Sequence, residues 1–211
     1  MKISVSILNS NDRVVDVKKL NNTNCDYIHI DVMDGEFVNP TEFSYEEVMD
    51  IIKVCNKKID VHLMCKEPIK YIEKLVNYNI SNITFHEEVG EDLFDIIDLI
   101  KKHNIEVGMS IKPNTSVDKL DKYLDKIDLI LVMSVEPGYG GQKFILSSLD
   151  KVRELKKRIK DKNLDVKIEI DGGVKDTNIN LIKESGVDIS VVGSFVTKSN
   201  DFNKSINILK Y

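Results

Sequence analysis

Short β-branched runs alternate with amphipathic, Lys- and Glu-rich stretches from one end of this chain to the other, and no other feature restricts its possible folds as strongly. Eight such runs, at 3–8, 26–31, 59–64, 82–86, 106–111, 128–134, 166–171 and 188–192, read as strands. Each is followed by a segment with apolar residues at helical spacing, as Leu93, Ile96, Ile97 and Ile100 illustrate. A repeat of about 26 residues without a Pro-, Gly- or Ser-rich linker favours one closed (β/α)8 barrel, an α/β TIM barrel, over an open doubly wound sheet. With 211 residues, 42% of them hydrophobic, the chain can bury one sizeable core, and a single domain spanning 1–211 is expected.

Charge narrows the partners. Against 35 acidic residues stand 30 basic ones, a net charge of −5, which argues against a broad footprint for nucleic acid or an anionic membrane. Clusters such as Lys156-Lys157-Arg158 alternate with Leu155 and Ile159 and read as a solvated helix face. No apolar run reaches the roughly 18 residues of a membrane span. The start, Met1-Lys2-Ile3-Ser4-Val5, is a strand pattern rather than a signal peptide, so a cytoplasmic location is expected. Cys25, Cys55 and Cys65 lack paired Cys-x-x-Cys spacing and read as free thiols, with Cys65 near the polar positions described next.

In such a barrel, reactive groups gather at the C-terminal ends of strands. The second expected strand ends Ile28-His29-Ile30-Asp31, and side-chain alternation puts His29 and Asp31 on the inner face. The third ends Val61-His62-Leu63-Met64, with His62 and Met64 inward; the seventh ends Glu169-Ile170-Asp171, with Asp171 inward and Glu169 one layer below. His29, Asp31, His62 and Asp171 would then share one layer, where unpaired burial would cost several kcal/mol. Two imidazoles and two carboxylates suit one divalent ion: Zn, Fe, Mn or Co.

Glycine marks an anion site. The seventh strand runs into Asp171-Gly172-Gly173-Val174 and the eighth into Val192-Gly193-Ser194, the pair of loops where barrels commonly hold phosphate with backbone N–H groups. After the sixth strand, Glu136-Pro137-Gly138-Tyr139-Gly140-Gly141-Gln142-Lys143-Phe144 reads as a cover that excludes water.

Together these segments resemble the ribulose-phosphate 3-epimerase family over nearly the whole chain. They are Ser6-Ile7-Leu8, His29-Ile30-Asp31-Val32-Met33-Asp34-Gly35, Val61-His62-Leu63-Met64, the 133–144 stretch, Asp171-Gly172-Gly173-Val174 and Gly193-Ser194. The resemblance implies a divalent cation held by His29, Asp31, His62 and Asp171, with Asp31 and Asp171 as the acid/base pair. It implies that Ser6 and His62 touch substrate near the metal, that Gly138, Gly140 and Gly141 belong to the closing loop, and that Gly172, Gly173, Gly193 and Ser194 hold phosphate. Met33, Met64 and Met133 would line the reacting carbons. The substrate class so implied is a pentulose 5-phosphate, and the assembly a homo-oligomer, a dimer or hexamer. The chain departs from the family pattern at Leu8-Asn9-Ser10-Asn11-Asp12, at Asn39-Pro40-Thr41-Glu42 and at Phe195, positions that bear on pocket shape.

Inverting a carbon beside a ketone needs a proton removed on one face and returned on the other, hence two acid/base groups, and a Lewis acid to stabilise the enediolate between. Three rival readings remain at this level: an allulose-6-phosphate 3-epimerase, a non-catalytic phosphosugar-binding barrel, and a metal-free phosphate-barrel lyase or decarboxylase.

Overall fold

The computed structural model describes residues 1–90 and 93–211. Among them, eight parallel strands close on themselves: β1 (Lys2–Ser6), β2 (Tyr27–Asp34), β4 (Lys58–Met64), β5 (Asn82–His86), β6 (Glu106–Ile111), β7 (Leu129–Met133), β8 (Lys167–Asp171) and β9 (Ile189–Val192). Closure comes from β1, which pairs with both β2 and β9. The helices α1 (Arg13–Leu20), α2 (Tyr45–Val54), α3 (Ile69–Leu75), α4 (Phe94–Lys101), α5 (Ser148–Asp161), α6 (Ile179–Ser185), α7 (Ser194–Thr197) and α8 (Phe202–Lys210) lie in the crossovers and after β9. No helix among the described residues is long and apolar enough to cross a membrane. The fold is therefore the expected TIM barrel.

Alternation explains how the strands divide their side chains. Ile28, Ile30, Val61, Leu63, Ile168 and Ile170 belong to the main apolar core, packed under the helices. Inside the barrel, Tyr27, Leu129 and Ile189, each at the start of its strand, form a separate apolar plug. Above the plug the interior turns polar, with Ser4, His29, Asp60, Asn82, Thr84 and Glu169 all buried. Caps fix where several helices begin: Asp12 accepts from the Val15 N–H, and Ser44 and Glu47 form a reciprocal capping box at α2.

Five details differ from expectation. β1 stops at Ser6 instead of residue 8, and β2 runs on to Asp34 instead of stopping at 31. The extension is held on both sides, by Met33 against Met64 of β4 and by an unforeseen two-residue antiparallel strand, β3 (Thr41–Glu42), against Met33 and Asp34. Between β6 and β7 there is a 3-10 turn, Val117–Leu120, in place of an α-helix. Pro113, Asn114, Thr115 and Ser116 fill the start of that connection with turn formers, leaving Val117 and Leu120 at the i, i+3 spacing of a 3-10 turn. Finally, His29 does not share a layer with the other three polar residues. It pairs in register with Asp60, whereas Asp31 pairs with His62 two residues further up, so His29 reaches upward from below.

Candidate functional site

The C-terminal ends of the strands open into a cavity of about 310 Å³. Ser6, Asp31, Met33, Met64, Met133 and Asp171 line its floor, and Gly138, Gly140, Gly141, Gly172, Gly173, Gly193 and Ser194 line its rim. The sequence-marked residues are thus brought to one place. His29 and His62 are fully buried behind that floor; His62, expected also as a substrate contact, does not line the cavity.

One ligand-type atom from each of His29, Asp31, His62 and Asp171 lies within 4.8 Å of the others. Asp31 is the hub. Its Oδ1 is 3.3 Å from His29 Nε2 and 3.3 Å from His62 Nδ1, while its Oδ2 accepts a 2.7 Å hydrogen bond from the Ser6 hydroxyl at the cavity floor. His29 Nδ1 lies 2.6 Å from Asp60 Oδ2, and a carboxylate only accepts, so Nδ1 carries the proton. That leaves His29 Nε2, buried and without a hydrogen-bond partner, facing a carboxylate oxygen. An orphaned imidazole nitrogen, a second imidazole and two carboxylate oxygens converging at the cavity floor are a donor set that fits a divalent first-row ion.

The protonation energetics point the same way. Burial disfavours a proton on His29, but Asp60 and Asp31 outweigh it and raise the imidazole's proton affinity well above the ordinary value. A cation placed there draws on the same carboxylates. Burial would raise Asp31, yet the adjacent imidazoles, His29 first and then His62, hold it well below the usual carboxylate range. Asp171 goes the other way: burial, then the negative charge of Asp31, pushes its carboxyl up to about 7. Without a cation the two carboxyls are therefore pushed in opposite directions, Asp31 down and Asp171 up.

Of the layer beneath, the sequence pointed to Glu169 but not to Asp60. Asp60 takes hydrogen bonds from Ser4 at 2.8 Å and Asn82 at 2.5 Å as well as His29. Glu169, whose oxygens meet no N–H or hydroxyl, is pushed well above its usual range by burial and by Asp60, and as a neutral acid it turns its proton toward Asp60. The signal was present in the alternation: residues 60, 62 and 64 share one face of β4. Cys65 points elsewhere, its Sγ 3.6 Å from the Val32 carbonyl and its thiol pushed far up by burial.

Backbone builds the opposite side of the mouth. Gly173 adopts φ +66°, and a Cβ there would meet the Phe144 nitrogen at 2.6 Å, so only glycine lets the β8 loop seat against the 134–147 segment. At Gly140 a Cβ would sit 2.0 Å from Asn9 Nδ2, tying this rim to the residues after β1. Gln142 cross-braces the segment through the carbonyls of Glu136 and Tyr139 at 2.6 and 2.8 Å. Lys175 and Lys198, which the sequence reading did not single out, also line the cavity beside the glycines. The departures at Leu8, Asn9 and Phe195 line it too, whereas Thr41 and Glu42 are spent on β3, with Glu42 paired to Arg13 at 2.5 Å.

Similarity to known proteins adds to this geometry. Among solved structures, KGPDC from Streptococcus mutans superposes with a TM-score of 0.73 at 14% identity, over 99% of this chain and 95% of that one. A 3-hexulose-6-phosphate synthase does so with 0.70 at 14%, over 100% and 98%. At such identities the likeness speaks to the barrel fold alone. Sequence relatives are nearer. The ribulose-phosphate 3-epimerase of Bacillus subtilis (strain 168) is 35% identical over 213 residues, covering 100% of this chain and 98% of the relative. That of Escherichia coli (strain K12) is 37% identical over 186 residues, covering 88% and 83%. That of Serratia marcescens is 40% identical over 181 residues, covering 85% and 86%. The model of the ribulose-phosphate 3 epimerase family matches residues 2–197, and with these relatives it places the chain in that family of isomerases.

Proposed function

We propose that this barrel interconverts D-ribulose 5-phosphate and D-xylulose 5-phosphate by moving a proton at C3, working as one catalytic domain. The observation that carries the reading is geometric: Asp31 and Asp171 converge with His29 and His62 within 4.8 Å of one another, and both carboxylates line the floor of a cavity whose rim is glycine. Asp31 spends Oδ1 on the two imidazoles and keeps Oδ2, hydrogen-bonded to Ser6, at the cavity floor, so Oδ2 is the base that takes the C3 proton. Asp171, from β8, returns a proton on the other face, and in the reverse direction the two exchange roles.

His29, Asp31, His62 and Asp171 would hold one divalent ion, which supplies positive charge against the oxygens where charge develops and so stabilises an enediolate that two carboxylates alone could not. Met33, Met64 and Met133 pack the cavity floor with polarizable side chains that carry no exchangeable proton, so the planar intermediate meets no competing donor there. Backbone N–H groups at Gly172, Gly173, Gly193 and Ser194 receive the phosphate, with Lys175 and Lys198 adding charge. The 134–147 segment covers the site.

The test is turnover of ribulose 5-phosphate by purified protein before and after chelation, with allulose 6-phosphate in parallel. The expected result is chelator-sensitive conversion of the pentulose. Preference for the six-carbon sugar would move the assignment to that epimerase, activity indifferent to chelation would remove the metal, and no conversion in metal-replete protein would overturn the reading.

A further inference from the structure

The hydrogen bonding of His62 extends away from the cavity. Its Nε2 lies 2.9 Å from Nε2 of His86, a residue at the end of β5 that is also fully buried. His86 Nδ1 in turn lies 3.0 Å from Glu88 Oε2. The other Glu88 oxygen accepts the Lys112 backbone N–H at 2.8 Å and the Thr115 hydroxyl. Phe37 covers His86 with its ring centroid 4.7 Å away, and Lys112 Nζ sits 3.9 Å from the Phe37 centroid; the two imidazoles are fully buried, while the Glu88 side chain is partly exposed.

Polarity runs one way along these atoms. A carboxylate surrounded by donors only accepts, so His86 must carry its proton on Nδ1 and present a lone pair at Nε2. Two nitrogens 2.9 Å apart share one proton, which therefore belongs to His62 Nε2. His62 Nδ1 is left bare, and it faces Asp31 Oδ1 at 3.3 Å, lone pair toward lone pair unless a cation lies between. We propose that Glu88, acting through His86, fixes the tautomer of His62 so that its Nδ1 lone pair is presented to the cation; Glu88 and His86 are positioning residues for the metal centre. This rests on the metal quartet proposed above.

Replacing Glu88 with glutamine reverses the chain almost isosterically. The amide carbonyl stays with Lys112 and Thr115, the NH2 faces His86 Nδ1, His86 moves its proton to Nε2, and His62 must hold its proton on Nδ1, against the cation. Cobalt affinity, read by chelator competition, is expected to fall about 10–100-fold in Glu88→Gln. In chelated protein, histidine 15N NMR should find His62 protonated on Nε2 in the parent and on Nδ1 in Glu88→Gln. Adding His86→Gln should recover at least about fivefold of the lost affinity, because a glutamine carbonyl at 86 accepts from His62 whatever occupies 88. If these residues served packing alone, the double variant would be worse than either single one, and that result overturns the proposal. So does unchanged affinity in Glu88→Gln, or an Nδ1-protonated His62 in chelated parent protein. Should Glu88→Gln fail to fold, His86→Gln is expected to keep most of the affinity that His86→Leu loses, and equal loss in both would sink the idea. A parent protein that binds no cobalt overturns the quartet itself, while its His62 tautomer still reports on Glu88 separately.

Discussion

The two sides of the barrel mouth are built from different materials. On the β2, β4 and β5 side, His29, Asp31, Asp60, His62 and His86 are all buried, and each is held by other side chains at hydrogen-bond or close polar distance. On the β7, β8 and β9 side the rim is backbone, with Gly138, Gly141, Gly172 and Gly173 in left-handed conformations and exposed lysines at the edge. A proton transfer needs atoms fixed to a fraction of an ångström and charges kept from water, which a buried side-chain network provides. A phosphate needs several N–H groups and room to approach, which glycine backbone provides. Damage to the side-chain network, including the Asp171 carboxyl that β8 adds at the floor, should therefore strike the chemical step, and damage to the glycine rim should strike binding.

The largest effect is expected from Asp31→Asn or Asp171→Asn, which leave shape intact but remove a proton acceptor or donor. Each should lower kcat by about 10²–10⁴-fold while competition by inorganic phosphate stays within a few-fold of the parent. Parallel loss of phosphate binding would mean that the two sides are not separable. Next comes Asp60→Ala, which takes from His29 the acceptor that holds its proton on Nδ1; cation affinity should drop about 10–100-fold in a chelator competition, with the fold unchanged by circular dichroism.

Chelation exposes the electrostatics of the metal centre, to which β8 contributes Asp171. Without a cation, folded Asp171 keeps its proton up to about pH 7, whereas an unfolded aspartate releases it near 3.9. The folded state then binds more protons across that window, so the stability of chelated protein should fall as pH rises from about 4 to 7. Urea midpoints would reveal it, and the slope should be shallower in Asp171→Asn.

Changes on the backbone side should be milder and of another kind. Gly173→Ala forces a Cβ against the Phe144 nitrogen and is expected to raise KM for the sugar phosphate about tenfold with a smaller change in kcat, consistent with a cost of ~1–2 kcal/mol at a strained position. Smallest is Lys198→Ala, which should raise KM about two- to threefold at low salt and less at high salt, since an exposed charge is readily screened. A kcat effect from either variant would blur the division between the two sides.

That division also explains what could be read before the fold was known. The alternation of β-branched runs located all eight barrel strands, because strands buried on both faces leave a strong mark on composition. The metal-type quartet was legible because reactive side chains are rare at inward positions. β3 was not, since two residues paired only through Met33 and Asp34 leave no periodicity. The layering of His29 below Asp31 was readable, because residues two apart on one strand occupy successive layers as 169 and 171 do; the level pairing of Asp31 with His62 depends on strand register, which no local pattern encodes. Asp60 and His86 could have been found, because residues 60, 62 and 64 share a face, as do 82, 84 and 86. Glu88 could not, because it reaches His86 from the turn after β5. The rim was visible only as glycine, and Lys175 and Lys198 resembled any surface lysine until the fold brought them to the cavity.

The most direct test of the central claim is deuterium exchange at C3 of ribulose 5-phosphate in D2O, followed by NMR with metal-replete protein. The account expects deuterium at C3 of both sugar phosphates with the parent, and a loss of exchange in Asp31→Asn as large as its loss of turnover. Conversion without deuterium incorporation at C3, or full exchange in Asp31→Asn, would contradict the assignment of Asp31 and Asp171 as the groups that move the proton.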